Sequence, residues 1–453
     1  MSPLTIIATL LVPGWLFAAE APGGPADVRA LRPERALRTE RTLTDCYAAA
    51  LARSDAVAQQ RELVIQAREH VRQAGGAILP SLSGIIGRQW QENPGGTALQ
   101  KSLAPTSQTT ARISATQPLF RGGREYAALS AARRRETAQE HAERQTEVRL
   151  YQDVAAAYYA VLSAERDLAN LADQLKAYDS RIGELRERES IGRSRPSEVL
   201  TARAARASLE AQDVQVRGAL AQVRETLAFL TGLPVDTAMA DEPGETPASA
   251  SLESCLAAIE GRPDVAAARA RAEAAAAGEW VATGAILPSV DLVGNYYMKR
   301  GGVLENVHWD AQLALTIPIF TGGQTWSRVR EARSVRRQAD QGLSLARRSA
   351  EAEIRTLWDR LDADRGQVEA LNRAVELAQS SYDRQVEEYR QGLVNNLDVL
   401  TALNTLQDLR RARDRGRFLV RTDSAHLAAA CGHIGASADA GIPHSASGLE
   451  PLP

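Results

Sequence analysis

The stretch QPLFRGG at 117–123 returns as IPIFTGG at 317–323, and Phe120 stands 200 residues before Phe320. Neighbouring segments keep that offset. GRSRPSEVLTA (192–202) lies over GLVNNLDVLTA (392–402), and both halves run out together at Gly232 and Gly432. Upstream, GAILPSL (76–82) answers GAILPSV (284–290) at an offset of 208, and CYAAALARSDAVA (46–58) answers CLAAIEGRPDVAA (255–267) at 209. A unit of about 180–190 residues present only twice points to an internal duplication rather than a many-repeat solenoid.

Composition narrows the class. The chain has 453 residues, 44% of them hydrophobic and 24% charged, which is the make-up of a folded protein. Only 5% are aromatic, and alanine is abundant, as suits long closely packed helices. A net charge of −2 lacks the basic surplus that gripping nucleic acid requires. Residues 1–21 read as a secretory signal peptide, with an apolar run from Leu4 to Ala19 and Ala19-Glu20-Ala21 at the cleavage point. Residues 22–42 are expected to form a leader, 233–251 a polar linker between the halves, and 433–453 a disordered tail. Beyond the signal peptide no apolar run approaches the ~18–20 residues of a membrane-spanning helix. Among the three cysteines, Cys46 and Cys255 are repeat equivalents and read as small buried residues, so no disulfide framework is expected. His426, Cys431 and His433 fit no standard zinc spacing, and the glycine pairs have no lysine after them to cradle phosphate, so no metal, cofactor or nucleotide site is expected.

Downstream of each glycine pair the apolar period is that of packed helices. Ile354, Leu357, Leu361, Val368, Leu371, Val375, Ala378 and Tyr382 follow 3–4 spacing broken only by Asp364, and Val154, Val161, Leu168, Leu171, Leu175, Tyr178 and Ile182 repeat it 200 residues earlier. Without a proline from Gly123 to about Ser190, a single helix of about 65 residues would measure ~100 Å. Turn residues then fold it back into a hairpin, with tips at about 190–197 and 390–397.

Between ILPS and the phenylalanine motif the period changes to two. Val290, Leu292, Gly294, Tyr296 and Met298 alternate with Asp291, Val293, Asn295 and Tyr297, and Trp309, Ala311, Leu313, Leu315 and Ile317 alternate with Asp310, Gln312, Ala314 and Thr316. Strands are thus expected at about 289–298 and 309–317, and in the first half at about 82–91 and 109–117. Four strands cannot close a barrel, because the smallest closed barrels need about eight. Closure by further copies would cover the edges and leave an apolar outside and a polar inside, as in a membrane barrel. The proline then ends a strand, the phenylalanine meets the water–lipid boundary, and the glycines turn strand into helix. That joint comprises Pro118, Phe120, Gly122 and Gly123, repeated as Pro318, Phe320, Gly322 and Gly323.

The ordered set of a leucine-led helix with an RPD step, ILPS, a strand pair, P-[LI]-F-x-G-G, a long helix and a Tyr-x-x-Gly…DVL tip, present in duplicate over about 43–432, resembles the outer membrane efflux protein family, the TolC-like channels. The resemblance implies a mainly α fold with long coiled-coil hairpins forming an α-barrel, and a homotrimer whose four strands per chain make a twelve-stranded barrel in the outer membrane of a Gram-negative-type cell. It implies repeats at 43–232 and 252–432, and no catalysis by the chain itself. It also implies a passive exit duct opened by a periplasmic membrane fusion (adaptor) protein and an inner-membrane transporter of RND or ABC type, with drugs, metal ions or polypeptides all possible cargo. Tyr389, Gly392 and Asp398 take the place of the family's entrance residues, while its tip arginine falls at Val394 and its second aspartate at Thr401. The closing charge network is then either weaker or carried by Arg193, Arg195 and Glu198. Adaptor docking would fall on Ile191, Gly192, Gln391, Gly392 and Leu393. A competing reading is a periplasmic coiled-coil adaptor or structural protein, although such adaptors have one hairpin and β-rich flanks.

Overall fold

Glycines with positive φ stand where each strand gives way to a long helix. Gly122 and Gly123 (φ 67° and 70°) and Gly322 and Gly323 (φ 61° and 79°) precede helices that start at Arg124 and Gln324. The computed structural model describes residues 40–92, 97, 106–241, 251–301 and 304–433. The signal peptide, most of the leader, the centre of the linker and nearly all of the tail expected from the sequence lie outside those residues.

In chain order the first half contains α1 (Leu43–Arg53), α2 (Asp55–Gly76), β1 (Ser81–Trp90), β2 (Ser107–Arg121), α3 (Arg124–Ser190) and α4 (Pro196–Thr231). The second contains α5 (Leu252–Ala257), a 3-10 turn at Ala258–Gly261, α6 (Pro263–Gly284), β3 (Ser289–Lys299), β4 (Trp309–Thr316), α7 (Gln324–Arg390) and α8 (Asn396–Ala430). Both α3 and α7 run 67 residues, ~100 Å at 1.5 Å per residue. Helix α3 packs against α1, α2, α4, α6 and α8, whereas α7 packs chiefly against α6 and α8. No helix among the described residues is long and apolar enough to cross a membrane.

The strands form one antiparallel sheet in the order β1-β2-β3-β4. The two hairpins share a register: Ser81 faces Thr116 and Ile85 faces Arg112, as Ser289 faces Thr316 and Val293 faces Gln312. Strand β2 runs past Pro118 to Arg121, with a register shift between Pro118 and Phe120, rather than ending at the proline. This is tolerated because β1 pairs only as far as Thr116, which leaves one side of Pro118 without a ladder to donate to. Strand β4 ends at Thr316, two residues before Pro318.

Among the described residues three apolar clusters hold the helices, one of them around Cys255, Ile354, Leu361 and Leu427. Near the middle of α3, Cys46, Val57, Val154, Tyr158 and Val161 pack with Leu227, and toward the tips Leu171, Tyr178, Leu185, Val199, Val399 and Leu403 form the third. The expectation of unpaired cysteines is corrected at Cys255, which is disulfide-bonded to Cys431 and ties α5 to the end of α8. The bond also removes Cys431 from any metal site. Cys46 stays free and fully buried, with its Sγ 3.8 Å from Met239 Sδ, and burial pushes its thiol up to about 11.

Candidate functional site

Opposite residues in an antiparallel pair share a face, so the register sorts the sheet into two surfaces. One carries Leu82, Ile86, Trp90, Ile113, Leu292, Tyr296, Trp309, Leu313 and Leu315, and all of these are at least 38% exposed. An apolar sheet face left this bare requires a cover that the described residues do not supply. The opposite face is polar and cross-linked. Asn295 Nδ2 donates to Asp310 Oδ1 at 2.7 Å, Arg300 lies 3.6 Å from Asp310 and over the Tyr297 ring, and Arg112 Nη1 donates to the Tyr297 hydroxyl at 3.4 Å. At the joint, Arg121 pairs with Asp291 at 2.7 Å. A β-carbon on Gly122 would lie 2.3 Å from the Gly284 carbonyl oxygen, so strand and helix turn there against the bare backbone of α6.

At the far end of the helices each hairpin reverses through a glycine. Gly192 N–H donates to Glu189 O and Arg193 N–H to Arg188 O, and Gly392 and Leu393 do the same to Tyr389 O and Glu388 O. Both closures bond the last carbonyls of the long helix in the manner of a glycine C-cap. The returning helices start differently. Asn395 and Asp398 form a reciprocal capping box, Asp398 N–H to Asn395 Oδ1 and Asn395 N–H to Asp398 Oδ2, both at 3.1 Å. Arg195 supplies no side-chain cap to α4, although Ser194 Oγ donates to Glu198 Oε2 at 2.8 Å.

The candidate tip residues therefore divide. Ile191, Gly192, Arg193, Arg195, Gln391, Gly392 and Leu393 lie exposed, and Asp398 and Glu198 are half-buried. Tyr389 is buried, with Arg181 4.0 Å and Arg188 4.6 Å from its ring centre. Arg181 Nε also donates to Asn396 Oδ1 at 2.9 Å. Arg181 and Arg188 were not singled out from the sequence, and Asn396 only as a turn residue. A faint signal for Arg181 exists in its repeat partner, which is Ser381.

Above the tip, α3 and α8 are joined by buried charge. Asp167 meets Arg411 at 2.6 Å and Arg415 at 2.5 Å, and Asp414 meets Arg166 at 3.1 Å and Asn170 at 3.0 Å. Burial pushes the Asp167 carboxyl up, but its hydrogen bonds to Arg411 and Arg415 outweigh that and hold it below the ordinary value. Between α7 and α8 the balance reverses. Asp423 faces Asp364 with Arg360 between them, 3.1 Å from Asp423 and 3.8 Å from Asp364, and burial followed by the Asp364 carboxyl raises Asp423 to about 6. No group of three or more metal-ligating side chains occurs among the described residues.

The sequence pattern of the outer membrane efflux protein family matches residues 46–233 and 256–433. The chain is 26% identical to the outer membrane efflux protein BepC of Brucella suis biovar 1 over 306 residues, 66% of each chain. It is also 26% identical to the outer membrane protein TolC of Vibrio cholerae over 277 residues, 58% of this chain and 63% of that one. These alignments span just under two thirds of the relatives' length. The solved structure of CusC superposes with a TM-score of 0.77 at 21% identity, covering 87% of this chain and 92% of that one. VceC from Vibrio cholerae gives 0.75 at 22% identity, covering 86% and 96%.

Proposed function

The chain belongs to the outer membrane efflux protein family, and from that premise we propose that it is the exit channel of a tripartite exporter or type I secretion system. Three copies form a twelve-stranded barrel in the outer membrane, continued into the periplasm by the long helices. The observation that carries this reading is the four-stranded sheet, with two unpaired edges and one bare apolar face, joined through glycines to two 67-residue helices. Lipid outside and further copies at the edges satisfy the backbone groups of the two edge strands and cover the apolar face. The polar face, with Arg112, Asn295, Tyr297, Asp310 and Gln312, then lines water.

Such a duct does no chemistry. Energy and cargo selection come from an inner-membrane transporter, and a periplasmic adaptor docks on the exposed tips at Ile191-Gly192 and Gln391-Gly392-Leu393. At the entrance, Asp398 from three copies makes an acidic ring, with Glu198, its repeat equivalent, at the same height and Arg193 and Arg195 beside it. Facing carboxylates favour cations. Fractionation tests the channel: the mature protein should appear in outer membranes as an SDS-resistant oligomer that heating dissociates, and a soluble periplasmic monomer would refute it. Planar-bilayer conductance tests the ring: Asp398→Asn should weaken cation selectivity, and unchanged selectivity would shift the assignment to Glu198.

A further inference from the structure

Charge is unevenly spread along the helices. The segments of α2, α3, α6 and α7 nearest the strand joints, 63–76, 124–137, 271–284 and 324–337, carry twelve arginines against six glutamates. That excess of +6 sits in a chain of net charge −2, so the remainder of the chain carries −8. At 1.5 Å per residue this basic collar is ~21 Å deep, and it begins where the sheet ends. Resting on the channel reading above, we infer that its outward arginines, Arg133, Arg330 and Arg337, hold the anionic phospholipid headgroups of the periplasmic leaflet.

Pairing inside the collar neutralises only half of the arginines. Arg68 meets Glu136, Arg72 meets Glu69, Arg124 meets Glu125, Arg134 meets Glu273, and Arg333 and Arg336 share Glu279. Arg133, Arg135, Arg271, Arg328, Arg330 and Arg337 are exposed and make no ion pair among the described residues, although Arg330 donates to Ser327 Oγ at 3.1 Å. A cluster of one sign repels itself, and an external anion relieves it. Phosphate suits guanidinium groups in particular, because it accepts two parallel N–H bonds from each.

Helix α3 shows which way the stripe faces. Tyr126 and Arg133 stand seven residues apart on it, and Tyr126 is 68% exposed although α3 packs against α2, α4, α6 and α8. Two and three heptads below Arg133 the same position holds Glu147 and Val154, where α1 docks: the Tyr47 hydroxyl donates to Glu147 O, and Val154 shares a core with Cys46. An element added inside a duct would block it, so α1 marks the outer side, and the stripe above it faces outward. On α7 the equivalent stripe runs Trp326, Arg330, Arg333 and Arg337 at 3–4 spacing, with Trp326 59% exposed. An aromatic ring heads each stripe and guanidinium groups follow, which is the order of a membrane interface from apolar edge to phosphate. A headgroup layer about 5–7 Å deep, with a field screened over about 8 Å, reaches Arg330 at ~10 Å below Gly323 and Arg133 at ~15 Å below Gly123, and the length of its own side chain brings Arg337 within range.

Lipid selectivity tests this assignment. The detergent-solubilised oligomer is stripped of lipid, immobilised, and titrated with labelled phosphatidylglycerol or phosphatidylcholine. Phosphatidylglycerol should bind about tenfold more tightly at about 0.1 M salt and lose most of that preference at about 1 M, where exposed charges are screened. The collar variant Arg133→Gln, Arg330→Gln, Arg337→Gln should bind both lipids alike. A distal variant, Arg355→Gln, Arg373→Gln, Arg390→Gln, changes exposed arginines farther along α7 and should keep the preference. All six positions are exposed, so both variants should still give the SDS-resistant oligomer, and the salt dependence of the parent stands independently of either. A parent oligomer without the preference, a collar variant that retains it, or a distal variant that loses it overturns the inference and leaves the channel reading standing. Co-sedimentation with purified peptidoglycan sacculi, lost in the collar variant and unaccompanied by any lipid preference, would overturn it in favour of the cell wall as the anionic partner. A parent protein that is a soluble monomer overturns both readings.

Discussion

Helices α3 and α7 are equal in length, yet α3 buries 20 of its 67 residues and α7 only 6. Their sequences descend from one unit, so the difference lies in their neighbours. Helix α3 sits between elements of both halves, whereas α7 stands at the margin of the chain. Duplication has given two rods of one pattern, and their positions in the chain, with the residues suited to each, make one a core and the other a border. A repeat in sequence is therefore not a repeat in environment, and each substitution should be judged by the half in which it falls.

The sharpest break of that comparison is a matched truncation. Leu171→Ala empties a fully buried site and should destabilise the protein by about 2–5 kcal/mol, whereas its partner Leu371→Ala, half-buried, should cost clearly less. Denaturant unfolding of the detergent-solubilised single variants measures both. Equal losses would show that assembly buries α7 as deeply as the chain buries α3.

A second contrast is the carboxyl pair in α7 and α8, whose first-half counterparts are Ala164 and Val223. The folded state holds the Asp423 proton up to about 6, above its ordinary 3.8, so the native state binds more protons than the unfolded chain between those values. The stability contributed by Asp423 is then full below pH ~4 and is lost as pH rises through ~6, by up to about 3 kcal/mol. Asp423→Asn should flatten that decline and be more stable than the parent at pH 8, as measured by melting temperature across pH. A parent whose melting temperature is constant from pH 4 to 8 would contradict it.

The smallest effect separates the two tips. Asn395→Ala removes an observed helix cap and should cost about 1 kcal/mol, while Arg195→Ala at the equivalent place removes none and should be close to neutral. Local hydrogen exchange at the starts of α8 and α4 resolves the two. Comparable protection losses would mean that Arg195 caps α4 in the assembled protein.

Elements governed by local spacing were legible in the sequence. The 3–4 seam around Val161 and Leu361, the alternation around Leu292 and Leu313, and the glycine pairs at 122–123 and 322–323 all carry their geometry in adjacent residues. Contacts between distant residues were not. Arg181 reaches Tyr389 across 208 positions, and nothing in the spacing of either announces a stacked guanidinium. Cys431 escaped because its repeat partner is Thr231, and the repeat logic linked Cys255 to Cys46 instead. Asp364 was visible as a flaw in its seam, but its meaning needed Asp423 and Arg360 brought beside it by the hairpin.

The Cys255–Cys431 bond sets an order of events for the nascent chain. A polypeptide delivered N-terminus first into an oxidising compartment presents Cys46, then Cys255, and last Cys431. An oxidase joining thiols as they emerge would link the first two and leave the third, whereas the native bond joins the second and third. Met239 and the middle of α3, which help to enclose Cys46, all emerge before Cys255. An early fold of the first half can therefore shelter that thiol, whose raised pKa keeps it protonated and slow to exchange. A lesion that keeps the first half open, and the Cys46 thiol with it, would then be expected to surface as a mispaired disulfide some 200 residues downstream.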